Sequence, residues 1–209
     1  MTAAFARVVV DVGAGDGHAS LRLARNDPAA LAIAIDPSTD RLRDGSHTAQ
    51  RRKLSNALFV VASIEALPCE LHQRADEVTV NFPWGSLLRG LLDGDPRVLE
   101  PLARLAKAGA PIRVLVSVEA NDRGARVAPL ELDSLQSLSP AYTEAGLTLE
   151  GCRLATGADI ATSGSSWAKR LGEDRRVYAL DLRRCAIEPT GSAPGVGRRV
   201  AQVDDSRGE

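Results

Sequence analysis

Several features that mark membrane, secreted or metal-binding proteins are missing from this sequence of 209 residues. No apolar run approaches the roughly 18–20 residues of a membrane-spanning helix. The first residues do not resemble a signal peptide, because a strand-like run begins almost at once. The three cysteines, Cys69, Cys152 and Cys185, are far apart and odd in number, which argues against a disulfide framework and a zinc site. We therefore expect a cytoplasmic protein with reduced thiols and no bound metal.

A strong excess of positive charge, the usual mark of a chain that binds nucleic acid, is also absent. Lysine and arginine total 26 against 27 aspartate and glutamate residues, which gives a net charge of −1. Any contact with phosphates must therefore come from local clusters of cations. The alternative interpretation of such clusters is a solvated helix face or strand end. The clusters are Arg51, Arg52 and Lys53; Lys169, Arg170, Arg175 and Arg176; and Arg183 and Arg184.

Aromatic residues make up only 3% of the chain, but the apolar fraction of 44% and the charged fraction of 25% are those of a folded globular protein. The length suits one domain with a full core. We expect this domain to span residues 1–185. Gly, Pro, Ser and charged residues dominate from Ala186 onward, so residues 186–209 are predicted to form a disordered tail.

Apolar, β-branched runs alternate with amphipathic or polar segments along the chain. This alternation predicts an α/β, Rossmann-like fold with a mostly parallel sheet and helices on both faces. The last two strand-like segments predict an antiparallel C-terminal pair at the edge of a seven-stranded sheet. The predicted strands are Val8–Val12, Leu31–Ile35, Leu58–Val61, Glu77–Phe82, Ile112–Val118, Leu147–Ala155 and Arg176–Leu182. The predicted helices are His18–Arg25, Ser38–Lys53, Ser86–Leu91, Pro96–Ala108 and Pro140–Ala145.

A glycine-rich loop, with the sequence DVGAGDG at residues 11–17, joins the first strand to the first helix. Glycines let the backbone turn sharply, and ligands of open α/β sheets bind beyond the carboxyl ends of the strands. The spacing differs from the G-x-G-x-x-G of dinucleotide-binding proteins. The carboxylates of Asp11 and Asp16 would repel a pyrophosphate and attract an ammonium or a sulfonium. The loop, with Gly13 and Gly15 at its centre, therefore predicts a ligand that carries a cationic group.

Two further strand ends extend this predicted site. Asp36 ends the second strand about 20 residues after the loop, where a carboxylate accepts both hydroxyls of a ribose. Ser63, Ile64 and Glu65 follow the third strand and are placed to line an adenine pocket. An acidic loop, a ribose acid and an adenine-side turn in this order are typical of a class I S-adenosylmethionine methyltransferase. The alternative is a glycine-rich turn followed by two ordinary strand-end acids.

The only two tryptophans of the chain lie in two distinctive segments. Trp84 follows the fourth strand in NFPWGSLL (residues 81–88), at the mouth where a methyl group would emerge. Trp167 lies between the last two strands in GSSWAKRL (residues 164–171), which we expect to be a loop with a short helix. Indoles beside Lys169 and Arg170 suit a flipped base held by stacking and phosphates held by cations. The alternative is that each tryptophan packs in the core.

The segments FPWGSLL (82–88) and SWAKRL (166–171) resemble the aminoglycoside-resistance 16S rRNA (adenine(1408)-N(1))-methyltransferases, the kanamycin–apramycin resistance family. The resemblance extends from about Val8 to Leu182. It implies methylation of adenine N1 in the decoding site of the 30S subunit, with S-adenosyl-L-methionine as cofactor. It also implies that Trp84 and Trp167 sandwich the flipped adenine and that Ser165 or Ser166 helps to position it. It implies that Asp11, Gly13 and Asp36 hold the methionine and ribose parts of the cofactor and that Ile64 and Glu65 frame its adenine. The full set of predicted cofactor-binding residues is Asp11, Gly13, Gly15, Asp36, Ser63, Ile64, Glu65, Phe82, Pro83 and Ser86. The predicted RNA-binding residues are Arg51, Arg52, Lys53, Lys169, Arg170, Arg175 and Arg176.

The implied chemistry needs no strong base. Adenine N1 carries a free lone pair once the base is unpaired, so catalysis rests on positioning and on the electrostatics of the closed site. This agrees with a predicted site that has tryptophans and no evident histidine or cysteine nucleophile. We expect a monomer whose partner is the 30S subunit and which makes no contact with a membrane.

Other activities stay open at this point. The NFPW segment is close to the N-P-P-[FYW] motif of enzymes that methylate exocyclic amines, where Asn81 would bind the amino group, although Phe82 departs from that motif. A tRNA guanine-N7 methyltransferase also has Pro-Trp at this strand end. A small-molecule methyltransferase would need no cations around Trp167. A module that binds the cofactor or the ribosome without turnover is the last alternative.

Overall fold

The computed structural model of the chain describes residues 5–118, 130–170 and 175–186. The predicted disordered tail lies outside these residues except for Ala186. The strands are β1 (Arg7–Val12), β2 (Ala30–Asp36), β3 (Ala57–Val61), β4 (Glu77–Asn81), β5 (Pro111–Val116), β6 (Leu147–Leu154) and β7 (Tyr178–Arg184). The α-helices are α1 (His18–Asn26), α2 (Thr39–Arg51), α3 (Gly85–Asp93), α4 (Pro96–Leu105), α5 (Leu132–Gln136), α6 (Ser139–Glu144) and α7 (Gly157–Ser163). Short 3-10 helices cover Ile64–Ala66, Cys69–Leu71 and Trp167–Arg170.

The strands form one seven-stranded sheet in the order β3-β2-β1-β4-β5-β7-β6. Strands β1 to β5 pair in parallel, because the segments between them carry the chain back across the sheet. Strand β7 pairs antiparallel with both β5 and β6. The predicted α/β class, with a mostly parallel sheet and an antiparallel C-terminal pair, is therefore confirmed.

The main core lies between one face of the sheet and the helices that cover it. Alternate residues of the central strands point to this face, among them Val10 and Val12 of β1 and Val78 and Val80 of β4. They pack with leucines of α3 and α4, and all of these side chains are buried. Since each buried aliphatic side chain contributes about 1.5–3 kcal/mol, this face supplies most of the stability of the fold.

The other face of the sheet carries the polar residues of the same two strands. Asp11 of β1 and Thr79 and Asn81 of β4 alternate with the core valines, so they point away from the main core. Helices α1 and α2 cover this face over β1, β2 and β3. A small second apolar cluster of Phe82, Leu115, Val177 and Ala179 lies at the end of β4 and β5, and Trp167 packs against it.

The ends of several elements differ from the prediction. Helix α4 stops at Leu105 and not at Ala108, because Ala106 leaves the helix and forms a parallel bridge with Ala75. Strand β5 ends at Val116, two residues before the predicted Val118. Helix α7 was not predicted, although Thr156 and Asp159 form a capping box that starts it. Within the described ranges, no helix is long and apolar enough to cross a membrane.

Candidate active site

The glycine loop after β1 turns the chain back against the end of β2. The amides of Gly13 and Ala14 donate to the carbonyl oxygen of Ile35 at 2.8 and 3.0 Å. A Cβ on Gly13 would lie 2.8 Å from Cδ2 of Leu87, so Leu87 would have to shift, and φ +71° at Gly13 is itself strained for any residue with a side chain. Gly15 has φ +58°, and no heavy atom lies within 4 Å of the place where its Cβ would stand. The backbone at Gly15 therefore faces open space, as a ligand cradle requires.

Asp11 is the buried acid of this loop. Its side chain is 5% exposed, and its Oδ1 accepts hydrogen bonds from Thr79 Oγ1 at 2.8 Å and Asn81 Nδ2 at 3.1 Å. Burial raises the pKa of the carboxyl group to about 6, the two hydrogen bonds oppose this, and the charges of Asp16 and Asp36 add to it. A buried carboxylate of this kind is stabilised by a cationic group brought next to it.

Asp36 ends β2 on the other side of the loop and is also 5% exposed. Its Oδ2 accepts from the amide of Gly15 and its Oδ1 from the amide of Ser38, both at 2.9 Å. The two amides fix the orientation of the carboxylate, and each oxygen keeps a further lone pair for a hydroxyl group. This is the arrangement that the ribose prediction requires.

Two neighbouring cavities open beside these acids. The first has a volume of about 370 Å³ and is lined by Asp36 together with Ser63, Ile64, Glu65 and Ser86. Ile64 is buried and offers an apolar wall. Burial alone would raise the pKa of Glu65, but hydrogen bonds from its own amide, Ser86 and Ser63 outweigh that effect and lower it. The Glu65 carboxylate is thus held ionised at the rim of this cavity.

The second cavity, with a volume of about 500 Å³, lies on the side of Asp11. Its lining includes Gly15 and Asp16 of the loop and Ser165 and Ser166 of the β6–β7 connection. The cavities meet at a common wall, so an elongated ligand can extend from one to the other. The residues that line both are Gly13, Arg41, Phe82 and Trp84.

The two tryptophans meet over the second cavity. Their ring centroids are 5.8 Å apart and the ring planes are 83° apart, an edge-to-face contact. Trp84 is 36% exposed, so it is not a core residue, and Trp167 is half-buried. A base stacked between two rings needs them parallel and roughly 7–8 Å apart. The structure thus brings the predicted pair together but differs from the predicted sandwich, since the indoles contact each other and must separate to admit a base.

The backbone around Phe82 sets the position of both rings. Phe82 has φ +52°, a left-handed conformation that is strained for a bulky residue and costs about 1–3 kcal/mol. Its amide donates to the carbonyl oxygen of Leu115 at 2.8 Å, which holds the turn. The buried phenyl ring belongs to the apolar cluster under Trp167. One strained residue therefore directs Trp84 outward and supports Trp167.

The connection that carries Trp167 is tied to helix α1. Arg22 of α1 donates from Nη1 to the carbonyl oxygen of Ala161 in α7 at 2.8 Å. Gly164 then ends α7 with φ +68°, and the amide of Trp167 donates to Ser165 Oγ at 3.2 Å. The indole is thus anchored to the helix that begins at the glycine loop.

The structure brings nearly all predicted cofactor and catalytic residues to the two cavities. Pro83 is the exception, because it is buried and lines neither of them. The predicted residues that do line them are Asp11, Gly13, Gly15, Asp36, Ser63, Ile64, Glu65, Phe82, Trp84, Ser86, Ser165, Ser166 and Trp167.

The predicted RNA-binding residues are divided between two regions. Lys169 and Arg176 are exposed, Lys169 close to Trp167, whereas Arg175 donates from Nε to Ser117 Oγ at 2.8 Å. The side chain of Arg170 lies outside the described part of the structure. Arg51, Arg52 and Lys53 are exposed at the far end of the 13-residue helix α2, about 20 Å from its start near Asp36. They do not adjoin the cavities, and their contact with RNA stays a prediction.

Three residues of the site were not found as such from the sequence. Thr79 and Asn81 hold Asp11, and Arg41 lines both cavities. A signal was present for the first two, because polar residues alternate with valines along an otherwise buried strand and mark a face with polar neighbours. Arg41 carries no such signal, since an arginine on a polar helix is ordinary.

A sheet with this strand order, whose carboxyl edge combines an acidic glycine loop with an acid at the end of β2, defines a class I S-adenosylmethionine-dependent methyltransferase. Comparison with known families narrows this class. The chain belongs to the NpmA family of 16S rRNA (adenine(1408)-N(1))-methyltransferases, whose family model matches residues 1–186. The resemblance inferred from the tryptophan segments is thereby confirmed.

Individual relatives agree with this assignment. The chain is 33% identical over 191 residues to the 16S rRNA (adenine(1408)-N(1))-methyltransferase of Streptoalloteichus tenebrarius, covering 87% of this chain and 88% of that one. It is 32% identical over 183 residues to the protein of the same name from Escherichia coli, covering 82% and 84%. The chain also resembles a solved structure of the 16S rRNA (adenine(1408)-N(1))-methyltransferase from Catenulisporales acidiphilia, a tryptophan-to-alanine mutant with its cosubstrate SAM. The TM-score is 0.77 and the identity is 32%, over 91% of this chain and 90% of that one. The antibiotic-resistance methyltransferase Kmr gives a TM-score of 0.74 and 35% identity over 89% and 90%.

Proposed function

We propose that this protein methylates N1 of adenine 1408 in the 16S rRNA of the 30S subunit and so confers aminoglycoside resistance. The observation that carries the proposal is the meeting of Trp84 and Trp167, 5.8 Å apart, over the cavity that also contains Asp11 and Gly15. Two aromatic side chains beside the predicted cofactor site support the proposal, because an unstacked base needs such platforms. The names of the relatives agree with this substrate.

The described residues fit S-adenosylmethionine as the methyl donor. The open space at Gly15 admits a ligand, and the carboxylate of Asp11 suits the ammonium of its methionine part. Asp36, fixed by two amides, suits the ribose hydroxyls, and Ile64 offers an apolar surface for the adenine. When bound, this molecule supplies a methyl group activated by a sulfonium.

The role of the protein in the reaction is to position the base. Trp84 and Trp167 hold the adenine by stacking, and the hydroxyls of Ser165 and Ser166 lie in the lining where they can contact its edge. Because N1 attacks through its own lone pair, no general base is needed, and the gain in rate comes from alignment. Methylation of an exocyclic amine is less well supported, because the side-chain amide of Asn81, which would bind the target amino group, donates from Nδ2 to Asp11.

Docking on the ribosome is assigned to the exposed cations. Lys169, two residues after Trp167, and Arg176 are exposed, and both are suited to phosphates around the flipped base. Arg51, Arg52 and Lys53 would extend the footprint along α2. The protein would act as a monomer in the cytoplasm, where the 30S subunits are.

The test is methylation of defined RNA substrates by the purified protein. We expect label from methyl-labelled S-adenosylmethionine to enter 30S subunits, and primer extension to stop at adenine 1408. Free tRNA should accept no label, and 30S subunits already methylated at this position should accept no more. A stop at another position, or label in tRNA in place of 30S subunits, would contradict the proposal.

A further inference from the structure

We infer that Thr79 and Asn81 are positioning residues for the methyl donor, because they orient the carboxylate of Asp11 toward the ammonium of its methionine part. The inference rests on the proposed function and extends it to two residues outside the family motifs described above. Neither side chain needs to contact the ammonium itself. Both act through Asp11.

The geometry of the two strands supports this assignment. Asp11 of β1 and Thr79 of β4 are register partners in the parallel pair, and Asn81 lies two residues further along the same face. Thr79 Oγ1 and Asn81 Nδ2 both donate to Oδ1 of Asp11, at 2.8 and 3.1 Å. Because Thr79 and Asn81 both donate to Oδ1, they fix the rotation of the carboxylate. Oδ2 is then left for a ligand in the 500 Å³ cavity, which Asp11 lines.

The assignment also decides between two roles for Asn81. In an enzyme that methylates exocyclic amines, an asparagine at this strand end binds the amino group of the target. Here its side-chain nitrogen is hydrogen-bonded to Asp11, on the side of the predicted methionine part. Asn81 therefore serves the methyl donor and leaves recognition of the base to the tryptophans and serines.

The charges around Asp11 make the state of its carboxylate sensitive to these donors. Burial raises its pKa to about 6, and the hydrogen bonds from Thr79 and Asn81 lower it from a still higher value. Only the ionised form attracts an ammonium, so affinity should fall as the pH drops through this pKa. Asp16 and Asp36 act on Asp11 through their charges, and Arg41 lines the 500 Å³ cavity beside it. Asp11 also borders a further cavity of about 390 Å³, whose charged lining residues are Arg7, Arg22, Glu77 and Arg113.

The experiment compares two ligands that differ only in the amino-acid part. Calorimetry would measure the affinity of S-adenosylhomocysteine and of 5′-methylthioadenosine between about pH 5.5 and 8.5, a range that brackets the pKa of Asp11. The proteins are the unchanged chain, Thr79→Val, Thr79→Ser and Asn81→Leu. Valine matches the shape of threonine without the hydroxyl, and serine keeps the donor. Thermal melting of each variant checks that it folds.

For the unchanged protein we expect the affinity of S-adenosylhomocysteine to decline below a midpoint near 6. Thr79→Val and Asn81→Leu should move this midpoint up by about one unit, which is about tenfold in affinity on the acidic side. Thr79→Ser should restore it. The affinity of 5′-methylthioadenosine, which lacks the ammonium, should be the same in all four proteins.

Two results would overturn the inference. One is an unchanged midpoint in Thr79→Val and Asn81→Leu, and the other is an equal loss of affinity for both ligands at every pH, which indicates a purely structural role. If Asn81→Leu does not fold, the comparison of Thr79→Val with Thr79→Ser decides. Failure of the proposed function looks different, because then the unchanged protein would bind neither ligand or would leave 30S subunits unmethylated.

Discussion

Replacement of Trp167 by alanine separates positioning of the base from binding of the methyl donor. Stacking on one indole contributes about 1–3 kcal/mol to binding of a base. The edge-to-face contact with Trp84, worth about 0.5–1.5 kcal/mol, is lost when the base enters. The net gain from Trp167 is then about 1 kcal/mol, so the variant should bind 30S subunits only about fivefold more weakly.

The larger effect should appear in the rate of methyl transfer. Without the ring on one side, the adenine is free to move, and a displacement of about 1 Å can cost about 100-fold in rate. We therefore expect kcat/KM of Trp167→Ala to fall by a few hundredfold, with most of the loss in kcat. Trp167→Phe keeps an aromatic face and should recover much of it.

Single-turnover methylation of 30S subunits, with calorimetry of S-adenosylhomocysteine on the same preparations, measures both quantities. The affinity for S-adenosylhomocysteine should be unchanged, since the donor is assigned to Asp11, Asp36 and Ile64, and Trp167 is assigned to the base. A loss of this affinity in parallel with activity would show that Trp167 supports the donor site through the cluster with Phe82. Unchanged kcat would refute the positioning role.

Two further predictions concern the donor and the docking surface. Asp36→Ala should weaken both S-adenosylhomocysteine and 5′-methylthioadenosine by tenfold or more, because the ribose hydroxyls lose a charged acceptor worth about 1.5–3 kcal/mol per hydrogen bond; unchanged affinity by calorimetry would place the ribose elsewhere. Lys169→Glu should weaken binding to 30S subunits and reduce the slope of log affinity against log salt by about 0.7–0.9 per lost phosphate contact. The matched variant Arg51→Glu, at the far end of α2, tests whether the footprint reaches that region, and an unchanged slope there would exclude it.

The sheet and the donor site could be predicted because both depend on local sequence patterns. Runs such as Leu31–Ile35 are rich in apolar and β-branched residues and lie between turn residues. This pattern predicts a buried strand even when the elements that pack against it are not known. Asp11 and Asp36 then follow from topology, since the ends of parallel strands meet at one edge of the sheet. The ends of the elements were less accurate where a tertiary contact decides them, as at Ala106, whose bridge to Ala75 ends α4.

The arrangement of the substrate side depends on contacts that a linear pattern does not contain. The edge-to-face angle of the indoles results from packing of Trp167 on Phe82 and from the left-handed backbone of Phe82. A phenylalanine gives no sequence signal for a positive φ, as a glycine would. Likewise the link from Arg22 to Ala161 joins residues 139 positions apart. Sequence reasoning identified the two tryptophans but not their mutual orientation.

The buried carboxylate of Asp11 lowers the stability of the ligand-free protein and serves to bind the methyl donor. Its pKa is raised to about 6 in the folded protein, above the value of about 3.9 for an unfolded chain. The folded state therefore binds the proton more tightly. The contribution of Asp11 to stability is fully present below about pH 4 and is lost as the pH rises through 6. Above that, ionised Asp11 destabilises the ligand-free protein by up to about 3 kcal/mol.

The substitution Asp11→Asn tests whether the ionised carboxylate lowers stability and supports donor binding. The amide oxygen can still accept from Thr79 and Asn81, so the hydrogen bonds to Oδ1 have a substitute while the buried charge is removed. At pH 8 we expect a higher melting temperature, by about 2–4 °C per kcal/mol gained. Near pH 4.5 the gain should shrink, because Asp11 of the unchanged protein is then protonated. Affinity for S-adenosylhomocysteine should fall at pH 8, since the ammonium loses its charged partner. Melting curves of the variant and the unchanged protein at the two pH values test this expectation. A variant that is less stable at pH 8 would show that the ionised carboxylate stabilises the fold. The ionised Asp11 would then not destabilise the ligand-free protein, which contradicts the argument.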